Sequence, residues 1–555
     1  MGHGFTRRRF LEAGTGAMVG TYVALTPGAA RAEDAGAPAS QASADRAPEE
    51  GTGPFHKLVI RGGTLIDGTG APPRGPVDIV VVNQRITQIK QVSERDLQKD
   101  RPPFDADHVV DATGMFVMPG FVDLHVHAGG PPKNPETYAY KLWLAHGVTT
   151  VRGVALASND ISVRDKERSE RNEIVAPRIF NYQHPGNAWG KGPVNSAQSA
   201  REWVRWAKDH GVDGIKIRSG AHMRPDIMAA LLPEAKRLQM GTVAHLDQTG
   251  VEQMNAIDAA RLGLGTVTHF YGHFESLVRP GVKLFPSDYD YRNEQVRFSQ
   301  VADWVNKIYP VRGQEWHRYL REHLELGTVF DPTFNIYVAS RDVTRMRGAE
   351  WHDKYTLPSL WDFFQPSTAA HGSYYWDWGT EVETAWKDFY QVWFKLMKDY
   401  HDMGGRITTG SDSGFIYQTY GFAYIMELEM LREAGLTPLE VITAATLNGA
   451  KTLYEPMGID NPPIGTVEPG KLADLVIAPE DPTADLTVDP WGRRGGGFKA
   501  LYGTGHQRLN PQTGQIERVG GIRWTIKDGV VYDARRLLED VAVEVEKQKA
   551  ERGTS

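Results

Sequence analysis

Between about residues 119 and 455, strand-like runs alternate with helical ones, and this alternation limits the fold more than any other feature of the chain. The strand candidates are Phe121–His125, Val148–Val154, Arg178–Tyr182, Gly214–Arg218, Gly241–His245, Thr266–Phe270, Thr328–Phe334 and Arg406–Asp412. Between several of them lie segments with helical apolar spacing, such as Ala197–Lys208 and Met223–Gln239. Strands joined through helices run parallel, and eight such steps close most economically into an α/β fold, a (β/α)8 TIM-like barrel. Chemistry in such a barrel collects at the C-terminal ends of the strands.

Five of the eight candidates deliver a metal-capable side chain there. His125 and His127 stand two apart at the end of strand one, so both imidazoles point to one face. Lys216 interrupts the apolar run of strand four. His245 ends strand five, His269 strand six and Asp412 strand eight. The chain has no cysteine, so a metal here must be held by His, Asp, Glu or a modified side chain. Each residue also has a plain structural role open to it. A histidine can fill a core, Lys216 can snorkel or pair with an acid, and Ser411-Asp412-Ser413 can cap a helix. His184, Arg218, Tyr271 and His273 lie at or just beyond strand ends, where they could hold a substrate carboxylate, polarise a carbonyl or simply pack.

Short β runs with hairpin turns flank the alternating region on both sides. Lys57–Ile60, Asp78–Val82 and Arg85–Ile89 lead it, and Ala473–Ile477, Ile522–Ile526 and Val530–Tyr532 follow. They predict a small β-sandwich domain built from both terminal segments, 54–118 and 456–540, around a barrel over 119–455. Two connections are long for a barrel, around 273–326 and 339–405. The second is rich in aromatics, including Trp351, Tyr355, Trp361, Phe363, Tyr375 and Trp386. Such insertions shape a substrate pocket or an oligomer contact, or form a small core of their own.

The first 32 residues read as an export signal. Thr6-Arg7-Arg8-Arg9-Phe10-Leu11 precedes a mildly apolar Gly/Ala stretch, and Ala30-Arg31-Ala32 fits a cleavage site. The order resembles a twin-arginine signal, which implies the matching export machinery and a periplasmic or secreted location. Residues 33–53 have the composition of a disordered linker. A net charge of -7 with no basic patch gives no reason to expect nucleic acid, and no apolar run is long enough to predict a membrane span.

Taken together, these residues resemble the amidohydrolase superfamily over nearly the whole chain. Pro119-Gly120-Phe121-Val122-Asp123-Leu124-His125-Val126-His127 resembles the family's metal-binding opening, and Ser411-Asp412-Ser413 its terminal Asp motif. Thr437–Ala450 resembles the helix that follows, and Gly465–Asp474 the return into the β domain. Among members, the imidazolonepropionase-related and Xaa-Pro dipeptidase-like enzymes look most similar. The resemblance implies one or two divalent metals, most often two zinc ions. It implies His125, His127 and Asp412 on one ion and His245 and His269 on the other. Lys216, carboxylated by carbon dioxide, would bridge them. It further implies hydrolysis of a C–N bond (amide, peptide or cyclic amide) in a small-molecule or peptide substrate, with Asp412 moving the proton.

Two other readings stay open. One is a mononuclear deaminase of the same superfamily, although His245-Leu246-Asp247-Gln248 puts Gln where those enzymes carry a proton-moving Glu. The other is a catalytically inactive periplasmic metal- or ligand-binding protein.

Overall fold

The structure is a computed structural model that describes residues 43–97, 105–128, 134–218, 222, 224–247, 254–286, 289, 293–366, 375, 377–484, 496–510 and 512–553. The export signal expected over 1–32 lies outside them. So do Gln248, Tyr374, Trp376 and half of the Gly-rich run 494–497.

Seven strands form a parallel sheet whose spatial order follows the chain: Phe121–Val126, Val148–Val154, Arg178–Gln183, Gly214–Arg218, Gly241–His245, Thr266–Thr268 and Val329–Asp331. Each is followed by a helix. The helices cover the sheet with apolar stripes, as Ala197–Asp209 does with Trp203, Val204 and Ala207. Its start is fixed by a capping box in which Ser196 and Ser199 bond each other's backbone amides.

The seven strands nearly close on themselves. Residues 406–412 run through the remaining gap. Ile407 makes a parallel bridge with Phe330, Leu124 N–H donates to Thr409 O (2.9 Å), and Asp412 N–H donates to His125 O (2.8 Å). This segment was expected as a full strand, yet it carries one isolated bridge. Gly410 shows why the approach is so close: a Cβ there would sit 2.7 Å from His125 Cβ and 2.8 Å from the Asp331 carboxylate. Strands six and seven also end earlier than their apolar runs predict, because His269 (φ 65°) and Thr333 (φ 50°) take left-handed backbone that no strand continues through.

Both ends of the chain meet in one β unit, realised as a single eight-stranded mixed sheet. Phe116–Pro119 from the first segment pairs antiparallel with Leu475–Ala478 from the second. One face buries Leu58, Ile60, Ile79, Val117, Leu475, Ile477 and Ile526. Arg178, at the start of the third barrel strand, ties sheet to barrel by donating to both Asp474 and Asp528 in a buried cluster.

Residues 43–53 correct the expected linker: they are held against the body. Ser43 Oγ donates to Asp165 (2.9 Å), Arg46 donates to Asn172 O (3.1 Å), and Thr52 bridges Val531. Composition did not reveal these partners because all of them are more than a hundred residues away.

In the aromatic connection, the helix Thr380–Asp402 lays Trp386, Phe389, Tyr390 and Trp393 against Phe270, Phe334 and Tyr337, with ring centroids 4.6–6.4 Å apart. These rings form a core that backs the ends of strands six and seven.

Candidate metal centre

The barrel brings five of the six proposed ligands to one point at the strand ends. Asp412 Oδ1 lies 3.6 Å from His125 Nε2 and 3.4 Å from His127 Nε2, and its Oδ2 lies 3.7 Å from His269 Nε2. Lys216 Nζ is 3.1 Å from His125 Nε2. His125, His127 and Asp412 keep their ligand atoms within 4.8 Å of one another. The sixth residue, His245, meets the His269 ring edge to face with centroids 4.7 Å apart.

The other nitrogen of each imidazole fixes what this convergence means. His127 Nδ1 lies 3.3 Å from Ala155 O, and a carbonyl only accepts, so Nδ1 carries a proton and the neutral form of the ring has its Nε2 lone pair toward Asp412. The Thr333 hydroxyl donates to Pro332 O (2.7 Å) and therefore accepts from His269 Nδ1. That leaves His269 Nε2 bare as well, and among the described residues this buried atom has no hydrogen-bond partner. Lone pairs on two imidazoles thus face carboxylate oxygens with no donor between them. Such a set repels itself unless a cation, or protons, fill it. The donors are nitrogen and oxygen atoms only, which suits zinc or a similar divalent ion.

Burial and charge act on every member. Burial drives His269 down to about 3 against the pull of Asp412. Burial, with Lys216 and the neighbouring rings, holds His125 well below the usual imidazole range. Burial pushes the Lys216 amine down to about 7, with Asp412 opposing and Arg152 and Arg218 assisting. For Asp412, burial acts upward but is outweighed by the His127, His269 and Lys216 side chains around it, so its carboxyl falls below the usual carboxylate range.

A layer of buried polar groups supports the ligands. Asp123 Oδ1 accepts from Ser411 N–H (2.8 Å) and His125 N–H (3.2 Å), tying strand one to the Asp412 segment. Thr268 Oγ1 meets His125 Nδ1 at 2.9 Å. Beneath them Arg152 donates to Leu124 O (2.7 Å) and Asp331 Oδ2 (3.1 Å), both side chains fully buried. The sequence reading missed Asp123, Arg152 and Asp331. A charged residue inside an otherwise apolar barrel strand was the available signal.

The weaker candidates divide. His184 Nδ1 lies 3.0 Å from Lys216 O, so its Nε2 is free to act as an acceptor beside Lys216 and Arg218. Arg218 pairs in register with His245 across strands four and five. Tyr271 packs tilted against His245 with ring centroids 4.6 Å apart and accepts from the Tyr337 hydroxyl at 2.9 Å. His273 goes elsewhere. It is fully buried, its Nδ1 bonds Tyr319 (2.6 Å), and its ring packs on Phe330 and His323. The turn of chain after His269, not its spacing, sends it behind the barrel wall.

Comparison with known proteins places this geometry. Residues 387–495 match the Amidohydrolase family. Adenine deaminase 2 of Agrobacterium fabrum is 35% identical over 94 residues, which is 17% of this chain and 14% of that protein. The chain thus matches only a small part of that curated relative's length. A Xaa-Pro dipeptidase solved with methionine in its active site aligns over 86% of this chain and all of its own, at 20% identity and a TM-score of 0.54. Bottromycin amidohydrolase aligns over 89% of this chain and 91% of its own, at 20% identity and a TM-score of 0.59. At these identities the structural likeness speaks for the fold. Among the described residues, no helix is long and apolar enough to cross a membrane.

Proposed function

We propose that this chain is a member of the amidohydrolase superfamily and a metal-dependent hydrolase cleaving a C–N bond in an amide, peptide or cyclic amide, a reading that the family match over residues 387–495 supports. The observation that carries the reading is the facing of His127 Nε2 and Asp412 Oδ1 at 3.4 Å with Lys216 and two further imidazoles around them. His125, His127 and Asp412 would hold one divalent ion. His245 and His269 would hold a second, with Lys216 between the two. Zinc is the ion we expect. The lysine fits that place only as an anion: an ammonium among cations is repelled, whereas a neutral amine buried near pH 7 can capture carbon dioxide and become an oxygen ligand. The bound ions supply Lewis acidity toward the scissile carbonyl and make hydroxide accessible near neutral pH.

The chain's own residues do the rest. Asp412 takes the proton of the attacking water at Oδ2 and returns it to the leaving nitrogen. His184, through its free Nε2, and Arg218 orient the substrate at the mouth. We read residues 406–412 as the eighth stave of a (β/α)8 barrel, since their bonds to both neighbouring strands fix Asp412 at the rim. The N-terminal Arg7-Arg8 pattern supports export to the periplasm.

The similarity of a short stretch to an adenine deaminase favours one second reading, a mononuclear deaminase. Metal analysis of the purified chain together with intact mass separates the two. Two ions per chain and a carbon dioxide adduct, with turnover of dipeptides, N-acyl amino acids or lactams lost to a chelator and restored by zinc or manganese, are the expected results. One ion, an unmodified Lys216 and ammonia released from a purine would establish deamination. No turnover on any panel would leave a binding protein.

A further inference from the structure

One short turn touches both halves of the metal centre. Residues 333–335 follow the seventh barrel strand. Thr333 accepts from His269 Nδ1, as described above. Two residues later, the Asn335 side-chain amide donates to Ser411 O, on the residue before Asp412. The backbone of the same residue is held at both ends: its N–H donates to Glu427 Oε2 (2.8 Å), and its carbonyl accepts from Gln418 Nε2 (2.7 Å). Gln418 O in turn accepts from Gly414 N–H (2.8 Å), two residues beyond Asp412. Thr333, Asn335, Ser411, Gln418 and Glu427 are all at most 1% exposed.

Strain explains why such bracing is needed. His269, Thr333 and Asp412 all have positive φ (65°, 50° and 44°). A left-handed non-glycine residue is strained and persists only where its surroundings over-determine it. Asp412 is over-determined: Ser411 N–H is fixed by Asp123, Ser411 O by Asn335, and Asp412 N–H by His125 O. Glu427 is a costly residue to bury, and it is fully buried. Its visible task is to accept the amide of the turn.

We infer that Asn335 and Glu427 are positioning residues that lock the 333–335 turn as a brace, setting the distance between His269 and Asp412 and thereby the affinity and geometry of the metal centre. The inference rests on the metal-centre reading above. Neither residue reaches the mouth, so they act only through Thr333, Ser411 and the ligands behind them.

Cobalt(II) titrated into the chelator-stripped full chain tests the brace. Binding is followed by visible d–d absorption and by chelator competition, and the metal-free thermal midpoint is recorded beside it. Asn335→Ala should weaken cobalt binding at least tenfold and alter the d–d band, in the range typical when a group supporting a metal ligand is lost. Glu427→Gln keeps an oxygen acceptor for the turn and should stay within about threefold of the native chain. Tyr400→Phe, which removes a buried bond to Thr328 O far from the ligands, should lower the metal-free midpoint yet leave affinity unchanged. Cobalt binding by Asn335→Ala within twofold of native overturns the brace while leaving the metal centre standing. If Asn335→Ala does not fold, Thr333→Val decides by the same tenfold criterion. A native chain that takes up no cobalt defeats the metal-centre reading and this inference with it.

Discussion

Lys216 Nζ lies 3.1 Å from His125 Nε2, with both side chains 1% exposed. The lysine enters from strand four and the histidine from strand one, so they meet across the barrel's interior, not along its sheet. A buried amine so close to an imidazole that we propose as a metal ligand is either a repelled cation or a group converted to a ligand.

Conversion has a direct consequence. Lys216→Ala should reduce the metal content from two ions per chain to one and abolish turnover. A short carboxylic acid added in solution should restore part of the activity by filling the vacated oxygen position, whereas Lys216→Arg should restore none, because guanidinium stays charged. Metal content and rate measured with and without added acid check this. Full metal content in the alanine variant would reject a bridging lysine.

The proposed mechanism requires Asp412 to move a proton as well as to bind. Asp412→Asn keeps the shape and the backbone bonds of the strained residue but removes the basic oxygen. We expect kcat to fall by about 10²–10⁴ with a small change in KM. Steady-state kinetics on the best substrate of the panel reads the split, and an unchanged kcat would assign the proton to another group.

Arg178 joins barrel and terminal sheet through two buried carboxylates. Arg178→Met removes the guanidinium that donates to both of them. The loss should be about 3–5 kcal/mol, as for other buried pairs broken on one side. Urea unfolding measures it, and a loss under about 1 kcal/mol would mean that Lys527, which also touches Asp528, carries the cluster alone.

His146 makes the fold acid-sensitive. Burial, opposed by its bond to Leu142 O, lowers it from 6.5 to about 4. Between those values the unfolded chain binds the proton that the folded chain refuses, so stability is complete above 6.5 and falls as the pH drops toward 4. The drop is worth about 3 kcal/mol. His146→Gln should flatten the dependence of the thermal midpoint on pH over that window, and an equally steep curve would show that other buried histidines dominate.

Local period made much of this molecule readable. Alternation marked strands such as Val148–Val154 and Gly214–Arg218 closely, and helical spacing marked Ala197–Asp209. The same rule overran at Thr266–Phe270 and Thr328–Phe334. There apolar character continues while the backbone turns left-handed at His269 and Thr333, and nothing in a run of hydrophobic residues announces that turn. His273 illustrates the limit for the site: two residues past Tyr271 it has the same chemistry as the ligands, yet it packs behind the wall on Phe330.

The amino-acid sequence alone determined which ligand atoms exist: imidazole, carboxylate and amine groups at strand ends, and no thiol. Those follow from residue type and from the two-residue period of a strand, both local properties. Only the tertiary structure decided which imidazole nitrogen is left bare, because the proton on His127 is fixed by Ala155 and that on His269 by Thr333, each on a different strand or turn. It also decided that Asn335, held by Glu427 and silent as a letter, grips the segment bearing Asp412. Hydrogen-bond direction depends on partners distant along the chain, and the closing of the barrel brings them together.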